Sequence, residues 1–227
     1  MIVTYKCNSQ CDHCRFRSGP HLEGVISTEK AKRWVKELED SFDLEKLVLY
    51  GGEPTLYFEE IFDIANFAYS TGVSISIETN CSWATTLDDA MKFLSKLRNL
   101  NPEFLFSFDG FHAKFIPFER VKNAIIAAKK LGMHYFHDVA VMDNIDAEND
   151  YDRLTKSLME ELSREGNPGD YALYRIFYTG RASEKLADEF AGEPEVSPHF
   201  YKKFLPDFRR LDQKCIKLPW YSNISHE

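Results

Sequence analysis

Three of the five cysteines in this 227-residue chain lie within the eight-residue segment CNSQCDHC. They are Cys7, Cys11 and Cys14, spaced C-x3-C-x2-C. They could be buried core thiols on one helix face, although the residues between them are polar. They could bind zinc, with His13 or His21 as fourth ligand. They could also hold an iron–sulfur cluster, in which three thiolates would leave one iron of a four-iron cluster open to an outside ligand.

The remaining cysteines weigh against zinc and against disulfides. Cys81 and Cys215 are single and distant, whereas structural zinc sites usually combine two pairs of ligands. An odd cysteine count with three clustered is unlike the disulfide framework of a secreted protein. The first ten residues also lack the pattern of a signal peptide. We therefore expect a cytoplasmic protein with an iron–sulfur cluster.

A second polar motif, YGGEPTL, occupies Tyr50–Leu56 directly after an apolar run. Gly51 and Gly52 would let the backbone approach a ligand closely, and Pro54 would end the preceding strand. Glu53 follows the two glycines directly. The alternative is an ordinary tight turn between a strand and a helix, in which the acid is incidental.

Polar residues also follow two later apolar runs. Thr79 and Asn80 stand where one run stops, and Ser107 and Asp109 alternate with phenylalanines, so that they share one face. Asp109 followed by Gly110 is also typical of a turn. Other polar or glycine positions near the ends of the apolar runs are Glu78, Cys81, His112, Gly180 and Arg181.

Together, CNSQCDHC and YGGEPTL resemble the two signatures of the radical S-adenosylmethionine (radical SAM) superfamily. The resemblance implies that Cys7, Cys11 and Cys14 hold a 4Fe–4S cluster, whose fourth iron is chelated by the amine and carboxylate of SAM. His13 takes the position before the third cysteine, which is usually aromatic. The implied reaction cleaves SAM to methionine and a 5′-deoxyadenosyl radical, which abstracts a hydrogen atom from a substrate.

The resemblance also assigns SAM contacts to three strand ends. The first would bind the amino group, the second the carboxylate or ribose, and the third the ribose hydroxyls. The first strand end comprises Gly51, Gly52, Glu53 and Pro54, the second comprises Thr79 and Asn80, and the third comprises Ser107 and Asp109. The GxIxGxxE motif of the family is absent, so that adenine binding is unassigned, and no catalytic residue is predicted.

Alternating strands and helices must position these motifs. Six short apolar runs predict strands, and amphipathic segments between them predict helices. Ser27 or Thr28 is expected to cap the first helix, and Gly132 to stop the helix over 121–131. The pattern predicts an α/β fold, namely a partial (β/α)6 barrel with parallel strands, with a doubly wound sheet as the alternative. The predicted strands are Ile2–Tyr5, Leu47–Tyr50, Val73–Ile77, Phe104–Phe108, Tyr135–Met142 and Tyr171–Tyr178.

Composition bounds the domains and partners. We expect residues 1–182 to form the partial-barrel core, and residues 183–227, with an aromatic and basic C-terminal tail, to form an extension that packs on it. The formal net charge of −8 argues against nucleic acid as a partner. No apolar run is long enough to span a membrane.

The stretches SFDGFHAKFIP and YTGRAS resemble radical SAM enzymes that modify ribosomally made peptides. Such enzymes often carry auxiliary clusters near the C-terminus, where this chain has only Cys215. The predicted activity is therefore epimerisation or cross-linking of a peptide, with electrons from a flavodoxin- or ferredoxin-like donor. The alternatives are activation of a glycyl-radical enzyme, modification of a nucleoside or small metabolite, and a non-catalytic zinc or redox-sensing metal-binding module.

Overall fold

The fold is built on parallel strands that lie side by side in chain order. The computed structural model describes residues 1–167 and 169–190, and within them five strands form one sheet. Each pair of neighbours is parallel, and a helix lies between consecutive strands in the chain. The predicted α/β class with a parallel sheet is confirmed. The strands are β1 (Lys46–Leu49), β2 (Ser74–Thr79), β3 (Glu103–Ser107), β4 (Tyr135–Val141) and β5 (Tyr171–Arg175).

The helices begin and end close to where the amphipathic pattern placed them. Ser27 caps the first helix by accepting a hydrogen bond from the backbone N–H of Lys30. Gly132 ends the fourth with a φ of 66°, a left-handed conformation that glycine adopts without strain. The α-helices are α1 (Thr28–Phe42), α2 (Phe58–Ser70), α3 (Leu87–Leu97), α4 (Phe118–Leu131), α5 (Asp150–Arg164) and α6 (Ala182–Lys185). Short 3₁₀ helices occupy Pro54–Tyr57, Arg98–Leu100 and Ala187–Phe190.

The hydrophobic core lies on the sheet face that the helices cover. Ile77 and Phe104, which are register partners on β2 and β3, are fully buried in it, as is Val139 on β4. Because successive strand residues point to opposite faces, Glu78 and Asp138 project from the other face of the sheet. This alternation separates an apolar face, which fixes the helices, from a polar face.

The segment over 2–5 takes the place of the predicted first strand without forming a regular one. Ile2 makes one parallel bridge to Tyr50, next to β1, and the N–H of Val3 donates to the carbonyl of Tyr50 at 2.8 Å. The hydroxyl of Thr4 donates to the carbonyl of Gly24 and accepts from a nearby backbone N–H. Such side-chain bonds to the backbone compete with a strand ladder. Five regular strands and one irregular segment thus stand where six strands were expected.

The first 187 residues, Met1–Ala187, form one compact unit. Beyond Phe190 the predicted extension over 183–227, including Cys215, lies outside the described residues, and its packing on the core stays a prediction. Among the described helices, none combines the length and apolarity that a membrane span needs.

Candidate active site

The cysteine segment forms a loop that follows the irregular first segment. A parallel bridge between Lys6 and Gly19 closes the loop, and the N–H of Cys7 donates to the carbonyl of Gly19 at 3.2 Å. Within the loop, the N–H of Cys14 donates to the carbonyl of Cys11 at 3.1 Å. Cys7 and Cys11 are buried, Cys14 is half-buried, and all three are free thiols. The fold therefore brings the three predicted ligands into one loop.

The thiols of this loop are suited to a cationic group. Burial, followed by the Glu53 carboxylate, raises the pKa of Cys7 to about 12. Burial, followed by the Asp109 carboxylate, raises the pKa of Cys11 well above its ordinary value. A metal reverses this effect because a coordinating thiol loses its proton, so the three-thiol donor set fits an iron–sulfur cluster.

The glycines of YGGEPTL bring this motif against the backbone that leads into the cysteine loop. The N–H of Gly52 donates to the carbonyl of Thr4 at 2.7 Å, and the N–H of Glu53 donates to the carbonyl of Lys6 at 2.8 Å. A Cβ on Gly51 would lie 2.4 Å from the Thr4 carbonyl oxygen, and one on Gly52 would lie 2.0 Å from that of Lys6. The close approach that the two glycines permit is therefore made, in this structure, to the protein's own backbone.

Glu53 is a buried carboxylate with several donors, and only 1% of it is exposed. Its Oε1 accepts from the backbone N–H and hydroxyl of Thr55 and from the hydroxyl of Thr79. Its Oε2 accepts from the backbone N–H of Asn80 at 2.8 Å. Burial raises the pKa of Glu53, and these hydrogen bonds oppose the shift. Since a carboxylate has about four acceptor positions, Oε2 has room for one more donor.

Asn80 joins the Glu53 loop to the cysteine loop. Its side-chain Nδ2 donates to the Oδ1 of Asn8 at 2.9 Å and lies 3.8 Å from the Sγ of Cys7. Its backbone N–H is held by Glu53, and Thr79 immediately before it also donates to Glu53. The structure therefore brings Thr79 and Asn80, two predicted site residues, against both motifs.

Cys81 is a fully buried residue in the turn after β2, with a φ of 62°. Its N–H donates to the hydroxyl of Thr79, and burial raises its pKa well above the ordinary value. These features favour a structural role for Cys81.

Asp109 is fully buried and organises the turn after β3. One oxygen accepts from the backbone N–H groups of Phe111 and His112, and the other from the Nδ1 of His112 at 2.9 Å and the N–H of Ala140. Burial opposes ionisation, but His112 and these bonds lower the pKa of Asp109 to about 2. The Asp109 carboxylate thus stabilises the turn that the Asp109-Gly110 pair indicated as the alternative to a ligand site. Ser107, also buried, lies on the same face.

His13 extends from the cysteine loop onto this turn. Its ring centroid lies 4.6 Å from that of Phe111 and 5.0 Å from that of His112, and its Nδ1 is buried without a hydrogen-bond partner in the described chain. Burial lowers the pKa of His13 to about 4. Ligand atoms of His13, Asp109 and His112 lie within 4.8 Å of one another. A neutral imidazole therefore stands beside the predicted cluster ligands.

Three residues that sequence reasoning did not single out tie the cysteine loop to its surroundings. Asp12 accepts from the Nζ of Lys114 and from the hydroxyl of Tyr151, each at 2.8 Å. The ring of Tyr151 stacks on Phe111 at 4.0 Å, which is the ring that His13 also contacts. The signal was weak because the three polar residues are scattered along 139 positions. Only the folded chain brings them together.

The polar sheet face adds an acidic pair, of which the sequence pointed to Glu78 but not to Asp138. Burial, followed by the Glu78 carboxylate, raises the pKa of Asp138 to about 8, and burial raises the pKa of Glu78. The hydroxyl of Tyr174, on the neighbouring strand, lies 3.5 Å from the Oδ2 of Asp138. A carboxylate inside an apolar run was the available signal for Asp138.

Comparison with known proteins identifies the family. The Radical SAM superfamily matches residues 1–157 of this chain, so that the protein belongs to that superfamily. It is accordingly an enzyme of a family that uses a 4Fe–4S cluster and SAM. The interpretation as a non-catalytic metal-binding module is thereby excluded.

Individual relatives are distant and longer than this chain. It is 24% identical over 162 residues to YydG of Bacillus subtilis, whose name assigns it to peptide biosynthesis, covering 69% of this chain and 47% of YydG. It is 27% identical over 222 residues to the AdoMet-dependent heme synthase of Methanosarcina barkeri, covering 93% of this chain and 57% of the synthase. The chain thus spans about half the length of these curated relatives.

A solved structure supports the fold. Native anSMEcpe with bound AdoMet and Kp18Cys peptide superimposes with a TM-score of 0.56 at 18% identity. The match covers 95% of this chain and 60% of that one. The parallel α/β architecture is therefore that of barrel-like radical SAM enzymes.

Proposed function

We propose that this enzyme cleaves SAM reductively with a single 4Fe–4S cluster held by Cys7, Cys11 and Cys14. When bound, the cluster would pass one electron to the sulfonium of SAM, giving methionine and a 5′-deoxyadenosyl radical. That radical would take a hydrogen atom from a substrate and leave as 5′-deoxyadenosine. A flavodoxin- or ferredoxin-like protein would supply the electron.

The contact of Asn80 with both motifs is the observation that carries this proposal. Its side chain lies against Cys7 and Asn8, while its backbone N–H is held by Glu53. An acid that could bind an ammonium is thus fixed beside the thiol loop. A site that only stored a metal would not need this arrangement.

The chain's own residues would orient SAM around this point. The free acceptor position on Oε2 of Glu53 would take the SAM ammonium, with the carbonyls of Gly51 and Gly52, before Pro54, nearby. Thr79 and Asn80 would line the carboxylate or ribose, and Ser107 the ribose hydroxyls. Asp109 would act mainly by holding His112, because its oxygens already accept donors. His13 would contact the nucleoside.

A peptide is the substrate class that we propose. YydG carries a peptide-biosynthesis name, and anSMEcpe was solved with a bound peptide, each within a likeness that covers more than two thirds of this chain. Epimerisation and cross-linking are both open to a substrate radical formed on a peptide backbone or side chain.

Anaerobic reconstitution tests the cofactor assignment. Wild-type protein should take up iron and sulfide in equal amounts, and should release 5′-deoxyadenosine from SAM and dithionite. Cys11→Ala should lose both properties, whereas Cys81→Ala, which removes a thiol outside the loop, should keep them. Colourless wild-type protein that retains zinc would contradict the proposal.

Incubation with peptides encoded beside the gene tests the substrate class. Epimerisation in deuterated water should incorporate one deuterium at the altered residue, and cross-linking should remove two hydrogens. Release of 5′-deoxyadenosine coupled instead to a glycyl radical in a partner protein, seen by electron paramagnetic resonance, would favour the activase alternative.

A further inference from the structure

The turn after β5 contacts the cysteine loop through its backbone. Gly180 has a φ of 61°, and a Cβ there would lie 2.3 Å from the carbonyl oxygen of Arg15 and 2.6 Å from that of Cys14. The N–H of the next residue, Arg181, donates to the carbonyl of Cys14 at 2.9 Å. Only glycine permits so close an approach, so this turn is shaped to fit the loop that carries the thiols.

The side chain of Arg181 completes this contact. Its guanidinium donates from one nitrogen to the carbonyl of Cys11 at 2.8 Å and from the other to the carbonyl of Ser18. Arg181 therefore binds the loop near two of the three cluster ligands and near its end. The planar fork of a guanidinium suits two acceptors at fixed positions, which a lysine would not match.

No acid of the described residues forms an ion pair with Arg181. The residue is only 9% exposed, and the acceptors of its side chain are carbonyls; among the described residues no carboxylate pairs with it. The nearby acid of α6, Glu184, pairs instead with the exposed Arg17. A buried cation without a counter-charge is costly. An anionic partner at this position would remove that cost.

The cysteine loop is where such an anion would arise. The guanidinium of Arg181 donates to the carbonyl of Cys11 and its backbone N–H donates to that of Cys14, so that its charge lies beside two of the three proposed ligands. Three thiolates carry more negative charge than one four-iron core compensates, and reduction of the core adds one further negative charge. A fixed cation beside the loop would therefore favour the reduced form.

We propose that Arg181 is the built-in counter-charge of the cluster, positioned by Gly180, and that it makes the cluster easier to reduce. This inference rests on the proposed function, since it requires a cluster on the three cysteines. Arg181 acts through the loop and its charge, because its guanidinium is already bound to the carbonyls of Cys11 and Ser18. It is a positioning residue, and a substitution at Arg181 is therefore expected to change the reduction potential of the cluster.

A redox titration of reconstituted protein, followed by electron paramagnetic resonance, tests the proposal. Arg181→Gln removes the charge and should shift the reduction equilibrium about tenfold toward the oxidised form, which is about 59 mV for one electron. Arg181→Lys keeps the charge, so that its equilibrium constant for cluster reduction should stay within about threefold of the wild-type value. Arg17→Gln, which removes an exposed and screened cation from the same loop, should leave the potential unchanged.

The outcomes separate this proposal from the one on which it rests. A wild-type protein that takes up no cluster would refute the proposed function. A wild-type protein that loads normally, with Arg181→Gln at the same potential, would refute the role of Arg181 alone. If Arg181→Gln takes up no cluster, Arg181→Lys tests the proposal instead. Uptake of a cluster with a wild-type reduction potential by Arg181→Lys would support the counter-charge role, and failure to take up a cluster would overturn it.

Discussion

At the scale of single residues, Glu53 has two tasks. It holds the end of β2 through Thr79 and Asn80, and it keeps one acceptor position on Oε2 beside the cysteine loop. A substitution at Glu53 can therefore fail in either task. Removing the side chain would release Asn80, which contacts Cys7, and so would disturb the cluster loop together with SAM binding.

Glu53→Gln removes the negative charge but keeps the shape of the side chain and one acceptor oxygen, which can still hold Thr79, whereas its amide nitrogen cannot accept the N–H of Asn80. The variant loses the negative charge that would bind the SAM ammonium, and should weaken SAM binding by about 1.5–3 kcal/mol. Isothermal titration of SAM into anaerobic, oxidised protein measures this loss. Iron content should fall less than SAM affinity does, because the bond to Thr79 and the side-chain bond between Asn80 and Asn8 remain.

The matched control is Glu37→Gln, which removes an exposed acid from α1. It should leave both SAM affinity and iron content unchanged. Loss of iron in Glu53→Gln with SAM affinity intact would assign Glu53 to the loop alone.

The residue types of the site were foreseen from the sequence, but their hydrogen bonds were not. Cysteine spacing and the acid after two glycines are local patterns, and the fold brings the two motifs together. The donors that occupy Asp109 come from its own turn and from β4, and those of Glu53 include residues 26 and 27 positions away. Such networks depend on tertiary neighbours, which one-dimensional spacing does not encode.

At the scale of elements, strand ends and turns set the geometry of the site. The first segment runs beside the end of β1, and the β5 turn closes on the cysteine loop, so that both edges of the described sheet reach the thiols. Strand and helix positions were predictable because hydrophobic periodicity and caps are local. The irregularity over 2–5 was not, because it follows from the side-chain bonds of Thr4.

Gly52→Ala tests whether this close packing is required. The new Cβ would meet the Lys6 carbonyl, so that the backbone would have to move, at a cost of about 3 kcal/mol. Gly72→Ala is the control. A Cβ at Gly72 would meet no other atom, so that only the strain of alanine in a left-handed backbone conformation lowers the stability, by about 1 kcal/mol. Urea unfolding of the two apoproteins measures the difference. Equal losses would show that the contact of Gly52 relaxes freely.

At the scale of the whole molecule, charge is divided between the two faces of the sheet. The helix side is apolar, while the other side holds Glu78, Asp109 and Asp138, with His112 and Arg15 as the nearby cations. Burying these acids costs stability unless they are protonated or paired. Asp109 is paired with His112, whereas no cationic side chain in the described part of the chain forms such an ion pair with Asp138.

The pH dependence of stability should therefore report Asp138. Its pKa is about 8 in the folded apoprotein, because of burial and then Glu78, against an ordinary value of 3.8. Between these values the folded state holds a proton that the unfolded state has released, so that unfolding releases it and rising pH favours unfolding. The stability that protonation supports is complete below the ordinary pKa and is lost as the pH rises through about 8.

Asp138→Asn removes this ionisation while keeping the shape of the side chain. The free energy of unfolding of the variant relative to wild type should rise between pH 5 and pH 8 by up to about 1.4 kcal/mol per pH unit. Urea unfolding of the apoprotein measures this difference. Asp143→Asn is the control at an exposed position just after β4, and its stability should depend on pH as that of wild type does. If Asp138→Asn instead loses stability relative to wild type as the pH rises, Asp138 is ionised in the folded protein, with Arg15 and His112 outweighing its burial.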